Sequence, residues 1–264
     1  MAASARVSQR AFFGMSALLF ATSAAGTIVW CQSMSAMGEM PMPGGWTMSM
    51  AWIPICGHTL LGAAASFLGM WTMMMVAMML PSAAPMLLRY RHAVGRTGGT
   101  RLGRLTTLVG AGYLFVWTAF GLAVFPLSVS LTAVAMHQPA LARAAPIAVG
   151  VVVLIAGALQ FTAWKARHLA CWREAPPRGH TMLADAGTAW RHGLRLGIHC
   201  CYCCANLMAI LMVIGIMDLG VMAVVTAAIT VERIAPSGER VARAIGAVTV
   251  ATGLFLIARA AVIG

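Results

Sequence analysis

Leu105-Thr-Thr-Leu-Val-Gly-Ala-Gly-Tyr-Leu-Phe-Val-Trp-Thr-Ala-Phe-Gly-Leu-Ala-Val-Phe-Pro-Leu-Ser-Val-Ser-Leu131 carries no charged side chain from 105 through 131. A bilayer core about 30 Å thick is crossed by about 20 apolar residues in a helix, so this run is long enough to span a membrane. Comparable uncharged runs occupy 11–31, 60–80, 144–164 and 196–217. Two weaker ones follow at 219–235, with Glu232 and Arg233 near its end, and at 242–263, where Arg259 must snorkel to the interface.

The chain of 264 residues is 61% hydrophobic and 9% charged, with a mean hydropathy of +0.86. Too few polar groups remain to cover a water-facing surface, so the lipid bilayer is the expected solvent. The expected fold is all-α, a polytopic transmembrane helix bundle of about seven helices that forms one integral membrane domain over 1–264. Such a chain is not a soluble enzyme, and no residue set reads as catalytic.

The net charge of +12 would point to nucleic acid in a soluble protein. Its placement points to topology. With the N-terminus in the cytoplasm and seven spans, only Arg143 and Arg259 of the 18 Lys and Arg residues fall on outer segments. That is the bias of cytoplasmic loops, and it leaves the C-terminus outside. No DNA-reading element is present, and nucleic acid is not an expected partner. The first span, followed without a break to Trp30, favours an anchor over a cleaved signal sequence, although the small residues at 22–25 leave cleavage open.

Methionine is concentrated. Of 21 residues, 13 fall between Met34 and Met86. The outer loop 32–59 places them at Met34, Met37, Met40, Met42, Met48 and Met50, beside Glu39 and His58. Thioether sulfur is a soft, uncharged ligand suited to Cu(I). Met42, Met48 and Met50 can converge from one solvated loop, where apolar filler has no purpose. In the second span Met74 and Met78 share a face, and for these simple packing is the competing explanation.

The second cluster is His199-Cys200-Cys201-Tyr202-Cys203-Cys204, at the inner end of the fifth span. At about 100° per residue, Cys200, Cys203, Cys204 and His199 share one face. Cytoplasmic thiols stay reduced, which favours metal binding over a disulfide. One helix face rarely closes a tetrahedral shell, and His168 and Cys171, beyond the fourth span, are the expected additional ligands. Close packing by small cysteines is the alternative. Elsewhere, Asn206 and Gln160 are expected to bond across helices. Glu232 with Arg233 reads as an interfacial pair, Asp218 with Gly220 as a tight turn, and Pro81 and Pro85 as a kink or end of the second helix.

Several of these motifs together resemble the bacterial DUF2182 family, described as metal-binding integral membrane proteins. The resemblance spans nearly the whole chain. It lies in Met42-Pro43-Gly44-Gly45-Trp46-Thr47-Met48-Ser49-Met50, in Met74-Met75-Val76-Ala77-Met78-Met79-Leu80-Pro81-Ser82, in Gly112-Tyr113-Leu114-Phe115-Val116-Trp117, in Leu159-Gln160 before Lys165, and in Gly193-x-x-x-Gly197-x-x-Cys200-x-x-Cys203-Cys204. The family commonly carries Cys-Leu-x-x-Cys-Arg after the lysine, whereas this chain has His168-Leu169-Ala170-Cys171-Trp172-Arg173.

The expected function is therefore metal handling in a bacterial inner membrane, with copper as the ion and zinc as the alternative. Uptake, transfer and delivery to a membrane or metalloenzyme partner all stay open. A structural or assembly subunit of a larger membrane complex is the competing expectation.

Overall fold

The computed structural model describes residues 2–36, 38–42, 46–49, 60–98, 101–173 and 185–263. Helix α1 runs Ala2–Ser35, α2 Leu60–Gly98, α3 Leu102–His137, α4 Pro139–Leu159, α5 Ala163–Arg173, α6 Ala186–Ile214, α7 Leu219–Ile234 and α8 Gly238–Ile263. The chain is a helical bundle, as its composition predicts. Between α1 and α2, within the expected outer loop, β1 (Glu39–Met42) pairs antiparallel with β2 (Trp46–Ser49). This hairpin is tied to the start of α4 by the Trp46 indole, which donates to the Ala142 carbonyl at 2.8 Å.

Among the described residues, six helices are long and apolar enough to cross a bilayer: Val7–Ser35, Leu60–Val94, Leu102–His137, Pro139–Leu159, Ala186–Ile214 and Gly238–Val262. Helix α7 has 16 residues, a length of about 24 Å at 1.5 Å per residue, against about 30 Å of hydrocarbon. The sixth of the seven expected spans is thus the short one. Helix α2 does not end at Pro81. It runs through Pro81 and Pro85 to Gly98, and the Ser82 hydroxyl donates to the Met79 carbonyl at 3.0 Å within the turn that the prolines weaken. The fourth span, by contrast, stops early. A turn over 160–162 separates α4 from α5, so Lys165 and His168 stand on a helix of their own.

Glycines set the helix spacing. A Cβ on Gly157 of α4 would lie 2.7 Å from the Val250 amide nitrogen, and one on Gly253 of α8 2.6 Å from that of Leu154. The two backbones therefore touch directly, the close approach that small residues allow between membrane helices. Helices α3 and α6 do the same: a Cβ on Gly112 would sit 2.8 Å from the Trp190 carbonyl oxygen, and one on Gly193 would collide with that of Val109. Met74, Met75, Met78 and Met79 are buried in the apolar core that α2, α3, α6 and α7 share.

Candidate metal centre

Cys200 is fully buried at the meeting of four helices. Its Sγ lies 3.9 Å from Cys204 Sγ, one turn on, and 3.9 Å from Met79 Sδ on α2. The Tyr113 hydroxyl, carried on α3 beside Gly112, hydrogen-bonds the same sulfur at 3.0 Å. From the last turn of α7, Arg233 Nη2 donates to Cys200 Sγ at 3.2 Å and to the Cys200 carbonyl at 3.4 Å. Its Nη1 donates to Ser82 Oγ on α2 at 2.8 Å. The Cys204 thiol donates back to the Cys200 carbonyl at 2.9 Å.

Next to this sulfur cluster lies a buried ion pair. Lys165 Nζ meets Glu232 Oε2 at 2.7 Å, both side chains at most 2% exposed. Lys165 Nζ also donates to the Cys203 carbonyl at 2.7 Å, and Gln160 Nε2 donates to Glu232 Oε1 at 2.6 Å. The expected interfacial pair of Glu232 with Arg233 is thus replaced by two separate buried partnerships. Adjacent residues on a helix point about 100° apart, so one carboxylate and one guanidinium serve different neighbours. Asn206 bonds across to α4, donating to the Ala156 carbonyl at 3.2 Å. Asp218 caps α7 by accepting from the Val221 amide at 2.9 Å.

The cysteine face expected from the sequence is divided. Cys203 is buried, but with Leu169 and Ala242 in a small cluster apart from the main core. His199 is exposed on the outer side of α6, because the face that packs inward centres on Cys200 and Cys204. The His168 ring is held at Nδ1 by the Trp164 carbonyl at 2.8 Å, and packs in tilted contacts against Trp164 and the exposed Tyr202, with ring centroids 4.4 and 5.7 Å away. The side chains of Cys171, Met42 and Met48 and the whole of Met50 lie outside the described residues. Met74 and Met78 are core residues, while Met79, one position on, presents sulfur to Cys200.

Among the described residues no group of three or more His, Cys, Asp or Glu is placed to hold a metal ion. The donor set that exists is two thiols and a thioether, the soft combination suited to Cu(I). Two sulfurs 3.9 Å apart, each about 2.3 Å from an ion, subtend about 116° at it, between the tetrahedral and trigonal angles. The family model described as PpoB2, copper chaperone, matches residues 68–256 of the 264.

The chain belongs to the PpoB2 copper chaperone family.

The matched residues include every member of this sulfur cluster, Met79, Cys200 and Cys204, together with Tyr113 and Arg233. They exclude the hairpin and the Met42–Met50 motif that overlaps it. Copper handling is therefore the function class of this chain, and a copper-using partner follows from that class. No curated protein and no solved structure matches it.

Sequence reasoning missed Met79, Tyr113 and Arg233 as neighbours of the cysteines. A signal existed for Arg233, since an ionisable residue in an apolar span is expensive and marks function more often than packing. A second sulfur contact also escaped notice: the Cys31 thiol at the end of α1 lies 3.8 Å from Met217 Sδ, between α6 and α7.

Proposed function

We propose that this protein is an integral membrane copper chaperone that binds one Cu(I) between Cys200, Cys204 and Met79 and passes it to a copper-using partner, without catalysing a reaction of its own. The observation that carries this reading is the pair of 3.9 Å sulfur separations around Cys200 in a buried setting. Two thiolates and a thioether bind a soft monovalent ion and discriminate against hard ones.

The N-terminus is cytoplasmic and the C-terminus periplasmic in this proposal, as the placement of arginines supports. The short α7 then starts at the outer face and stops near the inner interface, where the exposed Arg243–Glu239 pair at 2.6 Å begins α8. Arg233 in the last turn of α7 touches Cys200, so the buried sulfur centre lies at that inner level, toward the cytoplasmic side. The methionine-rich segment 32–59 supplies thioethers on the opposite face for capture.

The test is Cu(I) titration of the purified protein in detergent, with a chromophoric chelator as competitor, on wild type, Cys200→Ser, Cys204→Ser and Met79→Leu. About one equivalent of Cu(I) is expected in wild type, lost in Cys200→Ser and weakened in Met79→Leu. Binding that survives Cys200→Ser would sink the site. A protein with no affinity for Cu(I) would instead be an assembly subunit whose cysteines only pack.

A further inference from the structure

We propose that Cys31 and Met217 form a second, weaker Cu(I) site at the opposite end of the bundle from Cys200. The inference rests on the copper-chaperone reading above and adds to it a site whose thiol lies outside the residues matched by the family.

Cys31, near the end of α1, is 2% exposed, and its thiol donates to Met217 Sδ at 3.8 Å. Met217 stands between α6 and α7, just before Asp218, which caps α7. The thiol is not isolated from other soft donors. Cys31, Met70 and Met222 belong to one continuous buried core, against which Met217 packs. Met34, one turn beyond Cys31 and half-buried, leads from the pair into the methionine-rich segment 32–59.

The height of this group in the bundle follows from contacts along α1 and α2. A Cβ on Gly26 would collide with Met73 Sδ, and Arg91 bonds to Ser8. The two helices are thus antiparallel, in a register that puts Cys31 level with Leu68, eleven positions before Met79. Met222 lies equally far before Arg233 on α7, and both Met79 and Arg233 touch Cys200. One thiol and several thioethers therefore gather about 16 Å from the Cys200 centre, at 1.5 Å of helix per residue.

Two sulfurs 3.8 Å apart, each about 2.3 Å from an ion, subtend about 111° at it. That bend leaves a coordination position open, and Met222 and Met70 are the buried thioethers at or near this level. Filling the site exchanges a proton for a monovalent ion: the Cys31 thiol loses H⁺ to solvent as its sulfur bonds Cu(I). The charge of the core is unchanged by that exchange. A divalent ion would add one positive charge to it, which an apolar setting penalises. One thiol with thioethers holds Cu(I) less tightly than the two thiols and thioether of Cys200, Cys204 and Met79. The Cys31 site therefore fills second, and a chelator strong enough to grade the Cys200 centre keeps it empty.

The experiment adds excess Cu(I), as its acetonitrile complex and without chelator, to the full chain in detergent, and counts bound ions by native mass spectrometry. Cys31→Ala is expected to bind one ion fewer than wild type while keeping the ion that resists chelator. Met217→Leu, which keeps the side-chain volume and serves even if Cys31→Ala does not fold, should need about tenfold more Cu(I) to take up its last ion. Excess Cu(I) should also raise the thermal midpoint of Cys200→Ser through the remaining site, and the rise should vanish in Cys31→Ala/Cys200→Ser.

A cysteine that only packs makes a different forecast: Cys31→Ala would lower the thermal midpoint and leave the ion count unchanged. That unchanged count, or unchanged uptake in Met217→Leu, overturns the proposal. A chelator-resistant ion that survives Cys200→Ser would instead remove the Cys200 centre and the reading on which this site rests, a separate and recognisable failure.

Discussion

Lys165 and Glu232 meet at 2.7 Å inside the helix bundle, 67 positions apart in sequence, with side chains at most 2% exposed. Lys165 stands on α5 and Glu232 on α7, and the same ammonium holds the Cys203 carbonyl of α6. The pair therefore fastens two short helices to the helix that carries the cysteines.

Breaking one side of that pair takes a buried ionic partner from the other, a loss that costs about 3–5 kcal/mol. Lys165→Met and Glu232→Gln are each expected to lower the thermal midpoint in detergent strongly. The double variant Lys165→Met/Glu232→Gln should be less destabilised than the two single losses added together, because the two charges interact directly. Additive losses would mean that the two groups are not coupled, contrary to the contact.

The division of the cysteine face makes a second forecast. Cys203→Ser, in a pocket with Leu169 and Ala242, and His199→Ala, on the exposed side of α6, should leave Cu(I) affinity within about threefold of wild type. Cys204→Ser should lower it by far more, since Cys204 Sγ lies beside Cys200 Sγ. Chelator competition on the three variants decides, and equal losses across all of them would restore the undivided face expected from the sequence.

Much of the fold was legible because the bilayer imposes it. Uncharged runs such as 105–131 admit only helices, and arginine placement orders them. Three features were hidden. The burial at the end of α7 was missed, since Glu232 and Arg233 read from the sequence as an interfacial pair, whereas Lys165 and Cys200 lie opposite them in the bundle. Which methionine of Met73, Met74, Met75, Met78 and Met79 meets the cysteines depends on the rotation of α2 against α6. A shift of one residue turns a side chain by about 100°, so the sequence could name the helix but not select Met79 over Met78. The break between α4 and α5 was also invisible, because the apolar run continues through Phe161 to Trp164.

Tyr113 reaches Cys200 because α3 and α6 touch at glycines, and spacing should therefore control the site. In Gly193→Ala a methyl group would collide with the Val109 carbonyl, and in Gly112→Ala it would press on the Trp190 carbonyl, 2.8 Å away. Backbone cannot yield as a flexible side chain can, so overpacking of this kind costs about 1–3 kcal/mol. Both variants are expected to lower the thermal midpoint and weaken Cu(I) binding together. Gly253→Ala, which presses on Leu154 of α4, should destabilise similarly but spare Cu(I) affinity in the protein that remains folded. Copper affinity lost equally in all three would detach the site from the α3–α6 spacing.

The start of α6 offers a pH test away from the sulfur centre. Asp185 caps the helix: its carboxylate accepts from the Thr188 hydroxyl, from the Gly187 amide at 2.6 Å and from the Thr188 amide at 3.3 Å. These bonds, that to the Thr188 hydroxyl foremost, hold its carboxyl below the usual carboxylate range. A depressed folded value means that the cap stabilises fully above the unfolded carboxyl pKa of about 3.9, and that its contribution fades as the pH falls through the folded value. Between pH 5 and 8 the cap is therefore constant. Asp185→Asn, which still caps but carries no charge, should flatten that part of the acid-side decline in thermal midpoint. Asp185→Ala should lower the midpoint at neutral pH as well, through loss of the cap. The check is thermal unfolding of wild type and both variants from pH 7 down to pH 3; identical slopes for wild type and Asp185→Asn below pH 4 would show that the carboxylate does not titrate with the fold.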